Sequence, residues 1–541
     1  MPQLTLEEPT LRYGAMAVGA LRKAYEIEDP STTLTKSNTH YLNAVIYYCE
    51  ALRLQSKAQP TREGLRTALL SSLLFICFEA QRGNMAAALK HVTHGFSMLN
   101  ELAACTDKAP SLVSIAPAPP ALVQEILDCY KPLELQSRSF MGSYRKFFFP
   151  PQLPTQRPGV GAMPQTALAG SSTGHPVQTP ASQPGTPWSK GSMTPTCSRT
   201  GLPSPQSQPS PGSPDSSGSR QSSSTGPPGR PPGILPFTKH SPYFRPKLSS
   251  ITCLEEMPAH FKDMDEVQGY WGLVQRNMVQ HIPMLTLMTT RLALTKAVNE
   301  ADLEARLASV KQNTQITDFV AESRYWLQRW VEAFEPLFQS SCRKSVSDPK
   351  GYLQTISIRI EYLILYIYTT LPRFSGLITV KGLTTQYKEI NKYAETLLMA
   401  RPSCGFAMDT GWTWPLFVSA FGCRDPAVRA DAIRILGQYP IRNALRDSRI
   451  FRAIALKNDE VEANILLEGD ENEQWLRLRR RELVFEDFGT TIIYRSSQKN
   501  LETGEWELVE EHASYNVDPD GALDWHRVPI SESASILSGV C

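Results

Sequence analysis

Residues 65–102, LRTALLSSLLFICFEAQRGNMAAALKHVTHGFSMLNEL, decide the fold, because they encode two helices and the turn between them. Apolar residues recur at helical spacing over residues 65–79 and again over residues 85–102. Gly83 and Asn84 interrupt the pattern, and both residue types tolerate the left-handed backbone that ends a helix. The stretch therefore predicts a helical hairpin with a tight turn.

The second helix of this hairpin is rich in small side chains, which are expected to let it approach the first helix closely. These residues are Ala86, Ala87, Ala88 and Gly95. The hairpin is typical of one unit of a TPR-type array, and it fits equally well an antiparallel helix pair of any bundle. Helical spacing also covers residues 11–25 and 42–52. We assign residues 1–147 to an N-terminal helical block.

A Pro/Ser/Gly-rich segment follows the N-terminal block at residues 148–250. It holds roughly half of the 42 prolines of the chain, and Asp215 is its only acidic residue. A segment of this composition buries too little apolar surface to offset the entropy lost on ordering. We therefore expect a long disordered linker.

Helical patterns resume in a C-terminal block, which we place at residues 251–470. Asp263 is expected to cap its first long helix, and Asp425 followed by Pro426 predicts another helix start. An aromatic stripe at i, i+4 spacing is expected to pack in the core. Its members are Trp326, Trp330, Phe334 and Phe338.

The last segment, residues 471–541, differs from the rest of the chain. Residues 483–494 alternate and are rich in β-branched and aromatic side chains, and residues 506–509 are expected to pair with them across residues 500–504. The predicted fold class is all-α, built from helical hairpins or TPR-like bundles, with a disordered linker and a small β hairpin near the C-terminus.

Composition narrows the function classes. The chain has 55 basic and 53 acidic residues, a net charge of +2, so no excess of positive charge marks a nucleic-acid surface. The ten cysteines form no CxxC pair, which argues against a zinc knuckle or a redox motif. The longest apolar stretch, residues 68–78, is about half a membrane span. We predict no membrane segment.

The sequence gives little support for a catalytic or ligand-binding motif. It has no GxGxxG, P-loop or HExxH motif, and its single GxSxG match, GSSTG at residues 170–174, lies in the Pro/Ser/Gly-rich segment. We therefore expect no enzyme and name no catalytic, cofactor-binding or metal residues. His91 and His94 share a helix face, but no carboxylate or cysteine stands near them. Glu510 and Glu511 are neighbours in sequence only, which does not make an acid/base pair.

Two further features have competing interpretations. An arginine run follows an acidic stretch at residues 468–473, and we favour an ion-paired or solvated helix surface over a nuclear-import patch or phosphate contact. The run comprises Arg477, Arg479, Arg480 and Arg481. If a ligand pocket exists, its aromatic candidates are Trp326, Trp330, Trp412 and Trp414, with packing as their alternative role.

Four segments together resemble the regulatory region of fungal zinc-cluster transcription factors. Residues 8–21, EPTLRYGAMAVGAL, resemble the opening of that region, and residues 66–89 resemble its next helical hairpin. Residues 257–267, MPAHFKDMDEV, and residues 415–436, PLFVSAFGCRDPAVRADAIRIL, are similar to later segments. The four occur in collinear order over most of the predicted helical regions.

One departure from this family is important. Its members bind DNA through an N-terminal cluster of six cysteines that holds two zinc ions, and no residues of this sequence match that cluster. Either the protein lacks the module or the sequence is a truncated gene product. The DNA-binding residues of the family therefore have no counterpart here.

The resemblance implies a regulator of gene expression, for example of a secondary-metabolite or nutrient pathway, that acts through protein partners or a small-molecule effector. DNA would be contacted only indirectly or through the missing zinc cluster. The implied location is the nucleus, with the cytoplasm as the alternative. The competing hypothesis is a helical-repeat adaptor or scaffold with no direct role in transcription.

Overall fold

The structure is a computed structural model of the chain. It describes residues 2–27, 38–58, 62–108, 251, 253–279, 292–401, 405–517 and 521–531, together with single positions between 126 and 140. Helices account for 68% of the described residues, which confirms the mostly helical fold. The predicted linker, residues 148–250, lies outside the described residues.

The N-terminal helices confirm the predicted hairpin. They are α1 (Pro2–Glu7), α2 (Pro9–Ile27), α3 (Thr39–Lys57), α4 (Arg62–Arg82) and α5 (Met85–Lys108). α2 packs against α3 and α4, and α4 packs against α5. Gly83 has a φ of 81° between α4 and α5, a backbone conformation that favours glycine. Asn84 Oδ1 then accepts the N–H of Ala87 at 3.3 Å and starts α5.

Gly95 makes a close contact with Tyr130, which follows α5 in the chain. A Cβ added to Gly95 would lie 2.5 Å from the hydroxyl oxygen of Tyr130. That hydroxyl in turn donates to the carbonyl of Leu69 on α4 at 3.2 Å. The space that Gly95 leaves is therefore filled by the Tyr130 ring.

The C-terminal helices begin where the capping residues predict. They are α6 (Met264–Val279), α7 (Glu300–Lys311), α8 (Thr314–Arg343), α9 (Pro349–Thr370), α10 (Leu377–Lys381), α11 (Thr384–Met399), α12 (Thr413–Gly422), α13 (Pro426–Gln438), α14 (Ser448–Ile465) and α15 (Glu471–Arg479). Asp263 Oδ1 accepts the N–H of Glu266 at 2.9 Å, and Asp425 Oδ1 accepts the N–H of Ala427 at 2.9 Å. Pro426 is the first residue of α13.

The strands form two sheets. Their bounds are β1 (Phe406–Ala407), β2 (Arg442–Asn443), β3 (Arg446–Asp447), β4 (Glu482–Glu486), β5 (Thr491–Lys499), β6 (Trp506–Ser514) and β7 (His526–Val528). In the small sheet, β2 lies between parallel β1 and antiparallel β3. The larger sheet runs β4-β5-β6-β7, all antiparallel. A hairpin across residues 500–504 is confirmed in β5 and β6, but its predicted pairing is wrong: residues 506–509 pair with residues 496–499, and residues 483–494 are divided between β4 and β5.

Helices from both sides of the predicted linker belong to one compact unit. Its main hydrophobic core includes Leu89 of α5, Trp330 of α8, Phe417 of α12 and Tyr494 of β5. The boundaries proposed at residues 147, 250 and 470 stay predictions.

Candidate functional site

An arginine cluster lies where the two sides of the predicted linker meet. We call Arg442, Arg446, Asp447 and Arg449 the arginine junction. Arg442 Nη1 donates to the carbonyl oxygens of Ala80 at 2.5 Å and Gln81 at 3.1 Å, near the end of α4. The last carbonyls of a helix have no partner within the helix, so this guanidinium caps α4.

Asp447 is the acidic member of the junction, and both of its carboxylate oxygens accept hydrogen bonds. It accepts hydrogen bonds from Arg442 Nε at 3.1 Å and from Arg449 Nη2 at 2.7 Å. It also accepts the backbone N–H of Arg449 at 3.0 Å, and this last bond caps the start of α14. Burial alone would raise the pKa of Asp447, but the charges and hydrogen bonds of Arg442 and Arg449 hold it well below its usual range. Asp447 is therefore an anion that two arginines already share.

Arg446 differs from the other junction arginines because no carboxylate compensates its charge. The residue is only 7% exposed, and its guanidinium carbon lies 4.6 Å from the centre of the Trp414 ring. Among the described residues its side chain makes no hydrogen bond and no ion pair, and its Nε is fully buried. Burial lowers the pKa of Arg446 to about 10, and the neighbours that oppose this shift are the phenols of Tyr368 and Tyr515.

The aromatic residues around Arg446 are held in place by their own hydrogen bonds. Trp414 Nε1 donates to the hydroxyl of Tyr368 at 3.0 Å. The Tyr515 hydroxyl donates to the carbonyl of Leu445 at 3.0 Å and accepts the N–H of Asp447 at 3.3 Å. The junction is thus a cationic site with ordered aromatic surroundings.

Residues before the predicted linker complete the junction. Gln136 Oε1 accepts the N–H of Leu445 at 2.9 Å, and its Nε2 donates to the carbonyl of Asp409 at 3.2 Å. The Phe140 ring lies 4.8 Å from that of Phe485 and 5.4 Å from that of Tyr515. Polar and apolar contacts therefore both join the two sides of the linker.

The four candidate tryptophans fall in two places. Trp326 and Trp330 are buried on α8, where Trp330 packs 4.7 Å from Phe334 and donates its Nε1 to the carbonyl of Val267 at 3.4 Å. This confirms the stripe as core. Trp412 and Trp414 are partly buried at the start of α12, and Trp412 lies 5.5 Å beneath the guanidinium of Arg401. Only Trp414 reaches the arginine junction.

The arginine run at the end of α15 points inward, so the expectation of a helix surface is wrong. Arg477, Arg479 and Arg481 are buried, and Arg481 is the deepest at 1% exposed. Arg481 Nη1 donates to Glu462 and to Asn458 Oδ1. The ion-paired part of the expectation holds for these contacts, and they are structural.

Glu462 is the centre of this buried network. It pairs with Arg424 at 3.0 Å and with Arg429 at 3.2 Å, besides Arg481. Burial would raise the pKa of Glu462, but these three guanidinium groups overcome that effect and lower it to about 2. One carboxylate thus holds α12, α13, α14 and the end of α15 together.

Glu510 and Glu511 are not an acid/base pair. In the sheet register Arg495 lies between Glu482 and Glu510, and it donates to them at 2.7 Å and 2.6 Å. Glu511 instead pairs with Lys457 at 3.1 Å. The two neighbouring carboxylates therefore serve different contacts, and Glu510 stabilises the sheet.

The two close histidines have different surroundings. His91 Nε2 lies 3.0 Å from the Tyr48 hydroxyl, and burial lowers the pKa of His91 to about 4, whereas His94 is exposed. The part of the chain that the structure describes contains no group of three or more His, Cys, Asp or Glu side chains that could hold a metal ion. Its helices are also too short or too polar to cross a membrane.

Two open grooves mark the surface. One, of about 530 Å³, lies along α8 and α9 and is lined in part by Arg324, Tyr325 and Tyr366. The other, of about 440 Å³, lies between α11 and α13 and is lined in part by Lys392 and Asp431. Neither groove includes a junction residue.

Sequence patterns did not predict the arginine junction. Its signal is the stretch RNALRDSR, residues 442–449, in which three arginines surround one acid across β2, β3 and the start of α14. No protein-family model, curated protein or solved structure matches the chain.

Proposed function

We propose that the chain is a transcriptional regulator similar to the regulatory region of fungal zinc-cluster factors, acting through protein or effector binding. One observation supports the proposal: all four segments that carry the resemblance form helices or helix starts of one compact unit. Residues 8–21 fall in α2, and residues 66–89 cover the α4–α5 hairpin.

The two later segments support the proposal in the same way. Residues 257–267 contain the Asp263 cap and the start of α6, and residues 415–436 span α12, the Asp425 cap and most of α13. Arg424 and Arg429 of this last segment both pair with Glu462. Two residues of the resemblance therefore take part in the buried network around Glu462.

The proposal assigns no catalytic activity and no direct contact with DNA. The chain would act in the nucleus, and contact with DNA would depend on a partner or on a zinc cluster outside this sequence. In a gel-shift assay the purified chain is expected to form no sequence-specific complex. A specific complex that survives rising salt would contradict this part of the proposal.

A tethering assay tests the regulatory role. The chain is fused to an unrelated DNA-binding module, and a reporter with the matching sites is measured in fungal cells against the module alone. The fusion is expected to change reporter output several-fold. A second fusion carries Glu462→Gln, which disrupts the buried network. It is the control that tests whether the change in reporter output requires the folded unit. Equal output from the intact fusion and the module alone would contradict the proposal.

The adaptor hypothesis keeps one specific observation in its favour. α3 buries Ala44, Tyr48 and Ala51, whereas Leu42 and Ile46 on another face of the helix are 45% and 61% exposed. Exposed apolar side chains one helical turn apart are typical of a protein-binding face. An adaptor would bind a protein through α3 and leave the tethered reporter unchanged.

A further inference from the structure

Arg446 lacks the partner that its environment demands. A buried charge is costly unless it is paired and hydrogen-bonded, and a guanidinium has five N–H donors to satisfy. The residue is 7% exposed, and its side chain makes neither a hydrogen bond nor an ion pair with the described residues. The Trp414 ring covers one face of the guanidinium, but a ring offers no acceptor to the N–H groups at its edge.

The neighbouring residues do not supply the missing anion. Asp447 is already occupied by Arg442 and Arg449, so the one carboxylate of the junction is not shared with Arg446. This leaves the positive charge of Arg446 without a counter-charge among the described residues. An anion from outside the chain would compensate it, and the low dielectric there would strengthen the attraction.

We propose that Arg446 anchors a binding site for a small molecule that carries an oxyanion, a carboxylate or a phosphate. With one face on Trp414, the guanidinium presents its planar edge, which matches two oxygen atoms of such a group. The aromatic side chains of Trp414, Tyr368 and Tyr515 favour a ligand whose remainder is apolar. For its biological meaning the inference rests on the proposed effector-binding function.

The test is a titration of the purified full chain with sodium acetate and, separately, with sodium phosphate, at an ionic strength held constant with sodium chloride. Tryptophan fluorescence and the melting temperature are recorded. A saturable change in fluorescence with a rise in melting temperature is expected for at least one anion. A response to acetate indicates a carboxylate ligand, and a response to phosphate indicates a phosphate ester.

Arg446→Met and Arg434→Met are the matched variants. Loss of a charge-assisted hydrogen-bonded pair is expected to weaken anion binding about tenfold to a hundredfold in Arg446→Met. Arg434 is exposed and paired with Glu395 and Asp431, so its variant should bind as the wild type does. Without anion, Arg446→Met should melt at a higher temperature than the wild type, because it removes an uncompensated buried charge.

The inference is overturned if neither anion changes the wild-type chain beyond the effect of chloride, a result that needs no variant to fold. It is also overturned if Arg446→Met binds as tightly as the wild type. The titration measures binding to the purified chain, whereas the tethering assay measures transcription. Failure of the proposed function therefore leaves the titration result unaffected.

Discussion

Glu462 carries a single negative charge that three buried arginines share. Replacing it in Glu462→Gln keeps the size of the side chain but leaves Arg424, Arg429 and Arg481 without this counter-charge. We expect the free energy of unfolding to fall by about 3–5 kcal/mol, the range for breaking a buried ion pair. Denaturant unfolding followed by circular dichroism measures the change.

Glu460→Gln is the control on the same helix. Glu460 is 67% exposed and lies 4.0 Å from Lys457, so its loss should change stability by about 0.5 kcal/mol or less. Equal effects of the two substitutions would show that the charge of Glu462 does not hold the network.

Acid should destabilise the protein partly through the same residue. The pKa of Glu462 is lowered from 4.5 to about 2 on folding, so the unfolded chain takes up the proton first as the pH falls. This contribution is complete above the unfolded value and is lost between about pH 4.5 and pH 2. Stability curves across this range should decline less steeply for Glu462→Gln than for the wild type, and parallel curves would contradict the assignment.

At the residue scale the sequence predicts local contacts well and burial of charge poorly. Asp263, Asp425 and Gly83 were predictable because a cap or a left-handed turn depends on a few adjacent residues. The arginine run at α15 was placed on the surface because its acidic neighbours in sequence suggested local pairing. Its deepest partner, Glu462, comes from a different helix, and no local pattern reveals such a contact.

Two helical glycines give a test at the scale of the element. Gly19 is exposed on α2, and an added Cβ would meet no atom within 4 Å, whereas at Gly95 of α5 it would lie 2.5 Å from the Tyr130 hydroxyl oxygen. Gly19→Ala should stabilise the protein by about 0.5–1 kcal/mol, through helix propensity.

Gly95→Ala should instead cost about 1–3 kcal/mol, because overpacking displaces Tyr130. Melting temperatures of the two variants against the wild type measure the difference. A stabilising effect of both substitutions would contradict the close contact between Gly95 and Tyr130.

Elements with a strong period were predictable, and those fixed by distant partners were not. The hairpin of α4 and α5 follows from helical spacing in residues 65–102, and a β hairpin across residues 500–504 follows from the alternation near it. The turn between β4 and β5 and the pairing of residues 496–499 were not predicted. The two-residue strands β2 and β3 are too short to show a period. β2 pairs with β1, which is distant in sequence, and with β3, and the arginine junction depends on β2 and β3.

The whole molecule has one property that the sequence did not show. The Pro/Ser-rich segment suggested separate blocks, yet residues from both of its sides share one hydrophobic core. Arg442 caps α4, and Phe140 packs between Phe485 and Tyr515. Folding of the N-terminal helices should therefore depend on the C-terminal part of the chain.

Cleavage within residues 153–230 tests this central claim most directly. A protease site is inserted there, the purified chain is cut, and the products are run on a sizing column at micromolar concentration. The two fragments should elute together as one complex, and Arg442→Gln, which removes the cap on α4, should weaken it. Elution of two separate folded fragments would contradict the account.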